Sequence, residues 1–173
     1  MERERRFPSL SRGCSGFTWI ELLLVVAVLG ALALMAIPSM QDNMLKRQVK
    51  EGLALADLAK RGVQAAWSVA GEMPADNKAA GIPEHDKIVG NLIKDVNVKD
   101  GAVTLTFGNN ASKALDDKKL TLRPAVVPDQ PVVPIAWLCH QVAVPAGMEV
   151  RGKNATDIPS NYLPAECRGG EAK

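Results

Sequence analysis

The chain has 173 residues, 47% of them hydrophobic and 23% charged, which excludes bulk disorder and leaves room for one membrane segment and one small domain. A formal net charge of +2 hides an uneven distribution. Residues 1–16 carry Arg3, Arg5, Arg6 and Arg12 against Glu2 and Glu4, whereas residues 42–173 hold 17 Lys/Arg against 16 Asp/Glu, a near-neutral balance.

Positive residues ahead of an apolar run favour keeping that end cytoplasmic, so the domain after it is expected across the membrane. Residues 1–16 do not read as an ordinary secretory signal, whose apolar core precedes the cut and is lost. Here the cut that suits the pattern precedes the apolar run, and the mature chain keeps it. Cys14 has no hydrophobic stretch before it, which argues against a lipoprotein; it reads as a reduced leader thiol without a role.

Gly16-Phe17-Thr18-Trp19-Ile20-Glu21 leads directly into an apolar run over residues 22–37. Residues 17–37 form a stretch of 21, which as a helix spans a hydrocarbon core of about 30 Å. One acid, Glu21, stands inside that stretch. A carboxylate at the bilayer core costs roughly 2.5–3.5 kcal/mol on insertion scales, so an intramembrane acid points to function. With a cut after Gly16, Glu21 lies one helical turn from a new α-amine, its own or that of a neighbouring copy.

The helix is expected to continue over residues 17–70. Gly30 and Pro38 interrupt its apolar half, and Pro38 predicts a kink. Beyond it, Leu45, Val49, Leu53, Ala56, Val63 and Trp67 recur at spacings of three, four and seven, one buried stripe. Arg47–Glu51 and Asp57–Arg61 stand at i,i+4, the spacing of a helical ion pair. Gly71 and Pro74 form a stop signal.

A loop follows over residues 72–95. Two alternating runs around Asp100-Gly101 then predict a hairpin in which Lys99 pairs with Ala102, Val98 with Val103 and Val96 with Leu105. That register places every large apolar residue on one face, and a slip of one would reverse it. Residues 119–123 predict a third strand ended by Pro124, and 135–140 a fourth; the sheet as a whole is assigned to 96–140. Residues 141–173, rich in Pro and Gly, are expected as a loop and tail. Cys139 and Cys167, both beyond the apolar run, read as a disulfide pair in an oxidising compartment, the alternative being two separate buried thiols. Closing that loop is worth roughly 3.5–4 kcal/mol on the chain-entropy argument.

The expected architecture is α+β: a long N-terminal helix, transmembrane over residues 17–38 and amphipathic over 39–71, packed on a four-stranded antiparallel sheet. Chemistry beyond this is sparse. His85 and His140 lie far from any convergent set of ligands or nucleophiles, so no catalytic, cofactor or metal site is assigned. The lysines and arginines of the domain alternate with acids rather than forming a phosphate-binding stripe. Asn154-Ala155-Thr156 matches a glycosylation sequon, a weak three-residue signal.

The stretch G-F-T-W-I-E-L-L-L-V-V-A-V-L-G, together with the architecture, resembles the type IV pilins, the subunits of bacterial surface fibres. The resemblance is detailed over residues 16–71 and looser beyond. It implies a leader, residues 1–16, removed by a prepilin peptidase that also methylates the Phe17 amine. It implies a single-pass inner-membrane precursor with a periplasmic domain, taken up by an assembly machinery and polymerised with copies of itself. Glu21 would pair with the Phe17 amine of an adjacent subunit, and Gly30 and Pro38 would bracket a segment that loses helicity in the fibre, the alternative being a static bend. Loops 72–91 and 139–167 would be the partner-facing parts, the second closed by Cys139 and Cys167. The implied roles are adhesion, twitching motility or DNA uptake. The readings kept beside it are a minor pilin that binds DNA or a surface, and a type II secretion pseudopilin. A mature length of 157 residues and the near-neutral domain lean towards the major subunit.

Overall fold

The computed structural model describes residues 16–169, the side chains of 34–39 excepted. Residues 1–15, with Cys14 and the arginines of the leader, lie outside the described residues. The chain divides into two compact units, Met1–Ser39 and Met40–Lys173. One helix, α1 (Trp19–Ala70, 52 residues), contributes to both.

In the second unit α1 buries Leu45, Val49, Ala56, Ala59, Val63 and Trp67. These positions, with the buried Gly52, follow one another at spacings of three and four and so occupy one face of the helix. Leu53 was expected on this stripe but is only half-buried; Gly52 and Ala59 hold the positions that face the sheet. Small residues there let the sheet come close. Gly52 is the clearest case: a Cβ would meet the Phe107 ring at 2.9 Å and the Ile93 side chain at 3.0 Å, while at Gly62, off the stripe, it would meet the Ala80 carbonyl oxygen at 2.7 Å in the loop after the helix. The helix closes where the sequence predicts, with the Gly71 N–H donating to the Trp67 carbonyl at 2.8 Å. Of the two predicted ion pairs, neither forms. Asp57 pairs with Lys60 at 2.9 Å, one residue nearer than Arg61, and Arg47–Glu51 is absent among the described residues.

The sheet is antiparallel in the order β1 (Ile93–Lys99), β2 (Ala102–Phe107), β3 (Lys119–Val126), β4 (Ala136–Cys139). The β1–β2 register is the predicted one, with Lys99 opposite Ala102, Val98 opposite Val103 and Val96 opposite Leu105. Asp100 and Gly101 both take positive φ, 51° and 78°, the combination that lets a two-residue turn follow the strand twist. A bulge between Ile93 and Asp95 carries β1 three residues further back than its predicted start. Val103 pairs with Leu122 and Leu105 with Leu120, so the apolar face continues across β3 onto the α1 stripe.

Two expectations change at β3. Pro124 does not end the strand, which continues to Val126. The Pro124 carbonyl accepts from the Arg151 N–H at 2.9 Å, so the edge on which proline lacks a donor faces the junction where β2 gives way to a further partner. That partner is a fifth strand, β5 (Glu149–Val150), paired with Val126 and Ala125, in a segment expected to be loop. The four-stranded path is therefore joined by a short fifth strand. Beyond the end of β4, residues 154–157 occupy the other edge of β3. Thr121 N–H donates to Thr156 Oγ1 at 2.9 Å, and Asp157 N–H to the Lys119 carbonyl at 3.1 Å.

Loop 72–92 is not a free surface loop either. Asn77 is buried, its amide nitrogen donating to the carbonyls of Pro83 and Val96 at 2.9 Å each, its oxygen accepting from the Val98 N–H at 2.6 Å. One side chain thus pairs with the outer edge of β1 as a neighbouring strand would, covering an edge that would otherwise template aggregation. The hairpin turn is held by the same segment through Gly101 N–H to the Pro74 carbonyl at 2.9 Å. Removing the amide in Asn77→Ala takes the partner from three backbone groups, two of them at buried hydrogen bonds on β1, and a loss of about 1–3 kcal/mol is expected in urea unfolding of the detergent-solubilised chain. A change within experimental error would show that the loop is held by other contacts.

Candidate assembly surface and disulfide loop

In the first unit every described side chain from Gly16 to residue 33 is exposed. These include Phe17 at 72%, Trp19 at 75% and Leu24 at 64%, within a surface of Val and Leu on all sides of the helix. Such a surface far exceeds the apolar patches a soluble monomer leaves in water. Among the described residues no helix is long and apolar enough to cross a membrane. The side chains of 34–37, which complete the apolar run, and that of Pro38 lie outside the described residues.

Thr18 organises the helix start, a role the sequence reading passed over although Thr-x-x-Glu is a capping signature. Its hydroxyl accepts from the Glu21 N–H at 3.4 Å and its carbonyl from the Leu22 N–H at 3.2 Å. Glu21 thus stands in the first turn, where a carboxylate complements the positive end of the helix dipole. Gly30 lies mid-helix with nothing within 4 Å of the position its Cβ would take, so no contact within this chain requires a glycine there.

Cys139, at the end of β4, is joined to Cys167 by a disulfide, with a Cα–Cα distance of 5.0 Å. Both are buried, Cys167 completely, and both belong to the main core. The enclosed loop is tied down by polar groups as well. The His140 carbonyl accepts from Arg123 at 2.9 Å and from the Asn154 amide at 3.2 Å. Asn154 Oδ1 accepts from the Thr156 N–H at 3.0 Å, so the asparagine of the sequon is engaged at both ends of its amide in shaping the loop. His140 is half-buried with positive φ of 54°, and its Nδ1 is enclosed without a partner among the described residues.

His85 opens a short 3-10 turn (His85–Lys87) and pairs through Nδ1 with the Asp95 carboxylate on β1. That hydrogen bond, reinforced by the charge of Asp95, raises the imidazole above its ordinary 6.5. A raised value in the folded chain stabilises it fully below pH 6.5, and the contribution fades as pH climbs through the raised value. Among the described residues no three His, Cys, Asp or Glu side chains converge as metal ligands.

A long helix on an antiparallel sheet, closed by a C-terminal disulfide loop and bearing an uncovered apolar helix end, defines a filament subunit. A profile of the pilin family, described as pilin (bacterial filament), matches residues 46–168. The chain is 36% identical to the type IV major pilin protein PilE of Neisseria gonorrhoeae over 159 residues, covering 88% of this chain and 93% of that one. It is 34% identical to a fimbrial protein of Neisseria meningitidis serogroup A over 165 residues, again 88% and 93%. Fimbrial protein EcpC of Eikenella corrodens is 30% identical over 156 residues, covering 88% and 90%. The chain belongs to the pilin family.

Two measurements check the electrostatics and the bridge. In NMR, His85 should titrate above 6.5, and Asp95→Asn should return it to about the free value; equal midpoints would dissolve the pair. Because both cysteines are buried, native protein should resist reduction, and the double replacement of Cys139 and Cys167 by Ala should cost about 2–5 kcal/mol. Alkylation of both thiols in unreduced protein would exclude the bridge.

Proposed function

We propose that this pilin is a structural subunit of a type IV pilus, made as a membrane-anchored precursor and polymerised through the N-terminal part of α1 into a surface fibre. The observation that carries the reading is the apolar segment over residues 17–33, helical from Trp19 and exposed on all sides. A surface of that kind is stable only under cover, first by lipid and then by the same segment of other copies. The names of the relatives, major pilins and fimbrial proteins, favour the fibre's main subunit over a DNA-binding minor pilin or a secretion piston.

In this reading a prepilin peptidase removes residues 1–16 and methylates the Phe17 amine, and the inner-membrane assembly machinery extracts the processed chain. Gly16 suits a cut because the missing side chain lets a protease approach the backbone. Phe17 is well exposed and Thr18 caps the helix, so the new amine emerges beside an already ordered first turn. Glu21 pairs with the Phe17 amine of a neighbour. In an apolar core an unpaired charge of either sign is strongly disfavoured, so the pair both drives a subunit out of lipid and sets its axial position. Gly30 and Pro38 are the places where the helix yields on passing from lipid into the fibre.

N-terminal sequencing of fibre protein should begin at Phe17 with the apolar stretch retained. Glu21→Ala should insert into the membrane at the wild-type level while surface fibre falls by about tenfold or more, a loss of order one paired buried charge. A wild-type yield of fibre from that variant would refute the pairing role.

A further inference from the structure

Val103 and Leu105 of β2 share the core with the α1 stripe, so Ala102 and Thr104, which alternate with them, stand on the opposite face of the sheet. A cavity of about 270 Å³ opens there, lined by Lys99, Asp100, Ala102, Thr104, Lys153 and Ala155. Gly152 brings the covering segment against it. Its φ of 74° favours glycine, and a Cβ would meet the Ala102 side chain at 2.5 Å and the Asp100 carbonyl oxygen at 3.2 Å. Only a bare backbone crosses this close to the hairpin turn, and the crossing places the next residue, Lys153, in the lining.

A chain of hydroxyls orients one donor into this space. Thr121 Oγ1 accepts from the Ala155 N–H at 3.1 Å and lies 3.1 Å from Thr104 Oγ1. Thr121 is completely buried, so its proton needs an acceptor, and among the described residues Thr104 Oγ1 is the one within reach of its hydroxyl. Thr104 therefore accepts from Thr121 and keeps its own proton for the cavity it lines. Asn154 and Thr156 hold the covering segment in place through the His140 carbonyl and the Thr121 N–H. Lys99 and Lys153 add two cations, and among the described residues neither has an ion-pair partner. Asp100 is the one acid in the lining, which is thus cationic by one charge.

We propose that this cavity binds a phosphate group as a dianion, the free ion or a monoester, between Lys99 and Lys153, with the Thr104 hydroxyl donating to it. Lysine meets phosphate oxygens as a point charge, whereas a planar carboxylate is better matched by the fork of an arginine, and no arginine lines the cavity. Two lysines balance the charge of about −1.5 to −2 that a phosphate monoester carries at pH 7. A diester, with a single charge, satisfies only one of them. The space holds several waters, each taking about 30 Å³ of liquid, and so admits a phosphate with part of its hydration. The site stands independently of the pilus-subunit reading.

The test is equilibrium dialysis of the full-length chain in non-ionic detergent against inorganic phosphate, phenyl phosphate and dimethyl phosphate. The first two should bind saturably at one site, and the diester about fivefold more weakly or less. Lys99→Gln and Lys153→Gln should each weaken phosphate binding about fivefold, while Lys113→Gln, an exposed lysine outside the cavity, should leave it within about twofold. Equal affinity for phosphate and phenyl phosphate would assign the cavity to the free ion, and tighter binding of phenyl phosphate to an ester carried on a larger molecule; both support the site. Absence of saturable binding, a diester that binds as tightly as the monoester, wild-type affinity in either cavity variant, or an equal loss in Lys113→Gln overturns it.

Discussion

The apolar surface of α1 is the constraint on which the rest of this protein depends. A helix of 52 residues cannot bury all its apolar side chains against a domain of this size, and only one stripe of it does so. The buried positions from Leu45 to Trp67 share one core cluster with the apolar face of the sheet. What remains uncovered, the whole circumference of residues 17–33, is stable only in lipid or against other chains. Folding and assembly are thus one hydrophobic problem, solved within the chain at one end and between chains at the other.

The sheet is finished by segments that do not look like strands. β3 shares one edge between β2 and β5 and the other between β4 and residues 154–157. The outer edge of β1 is closed by a single side chain, Asn77. These arrangements matter because open strand edges pair indiscriminately. With its edges closed, the domain is left to associate through the helix. The disulfide belongs to the same economy: it anchors the C-terminal loop at the end of β4, where that loop supplies β5 and the segment beside β3.

Much of this was legible in the residues. The Asp100-Gly101 hairpin came out in its predicted register because alternation and turn chemistry demand the same pairing. The helix, its buried stripe and its end at Gly71 follow from spacing and from glycine. The resemblance that rested on residues 16–30 agrees with the family match, which itself covers residues 46–168. Other features left weaker marks. Thr18 was readable as a cap from Thr-x-x-Glu but was eclipsed by Glu21. Asn77, Gly62 and the continuation of β3 through Pro124 left no local trace, because each depends on what a distant segment brings against it.

Sequence alone determined the long helix, the hairpin register and the exposed apolar end, all of which follow from periodicity and from the conformational preferences of single residues. Tertiary structure decided which polar groups close the sheet, that a two-residue strand joins it, and that Asp57 turns to Lys60 and leaves Arg61 without it. Those outcomes are set by three-dimensional proximity between residues far apart in the chain, or by competition between near neighbours, and neither is written in a local pattern.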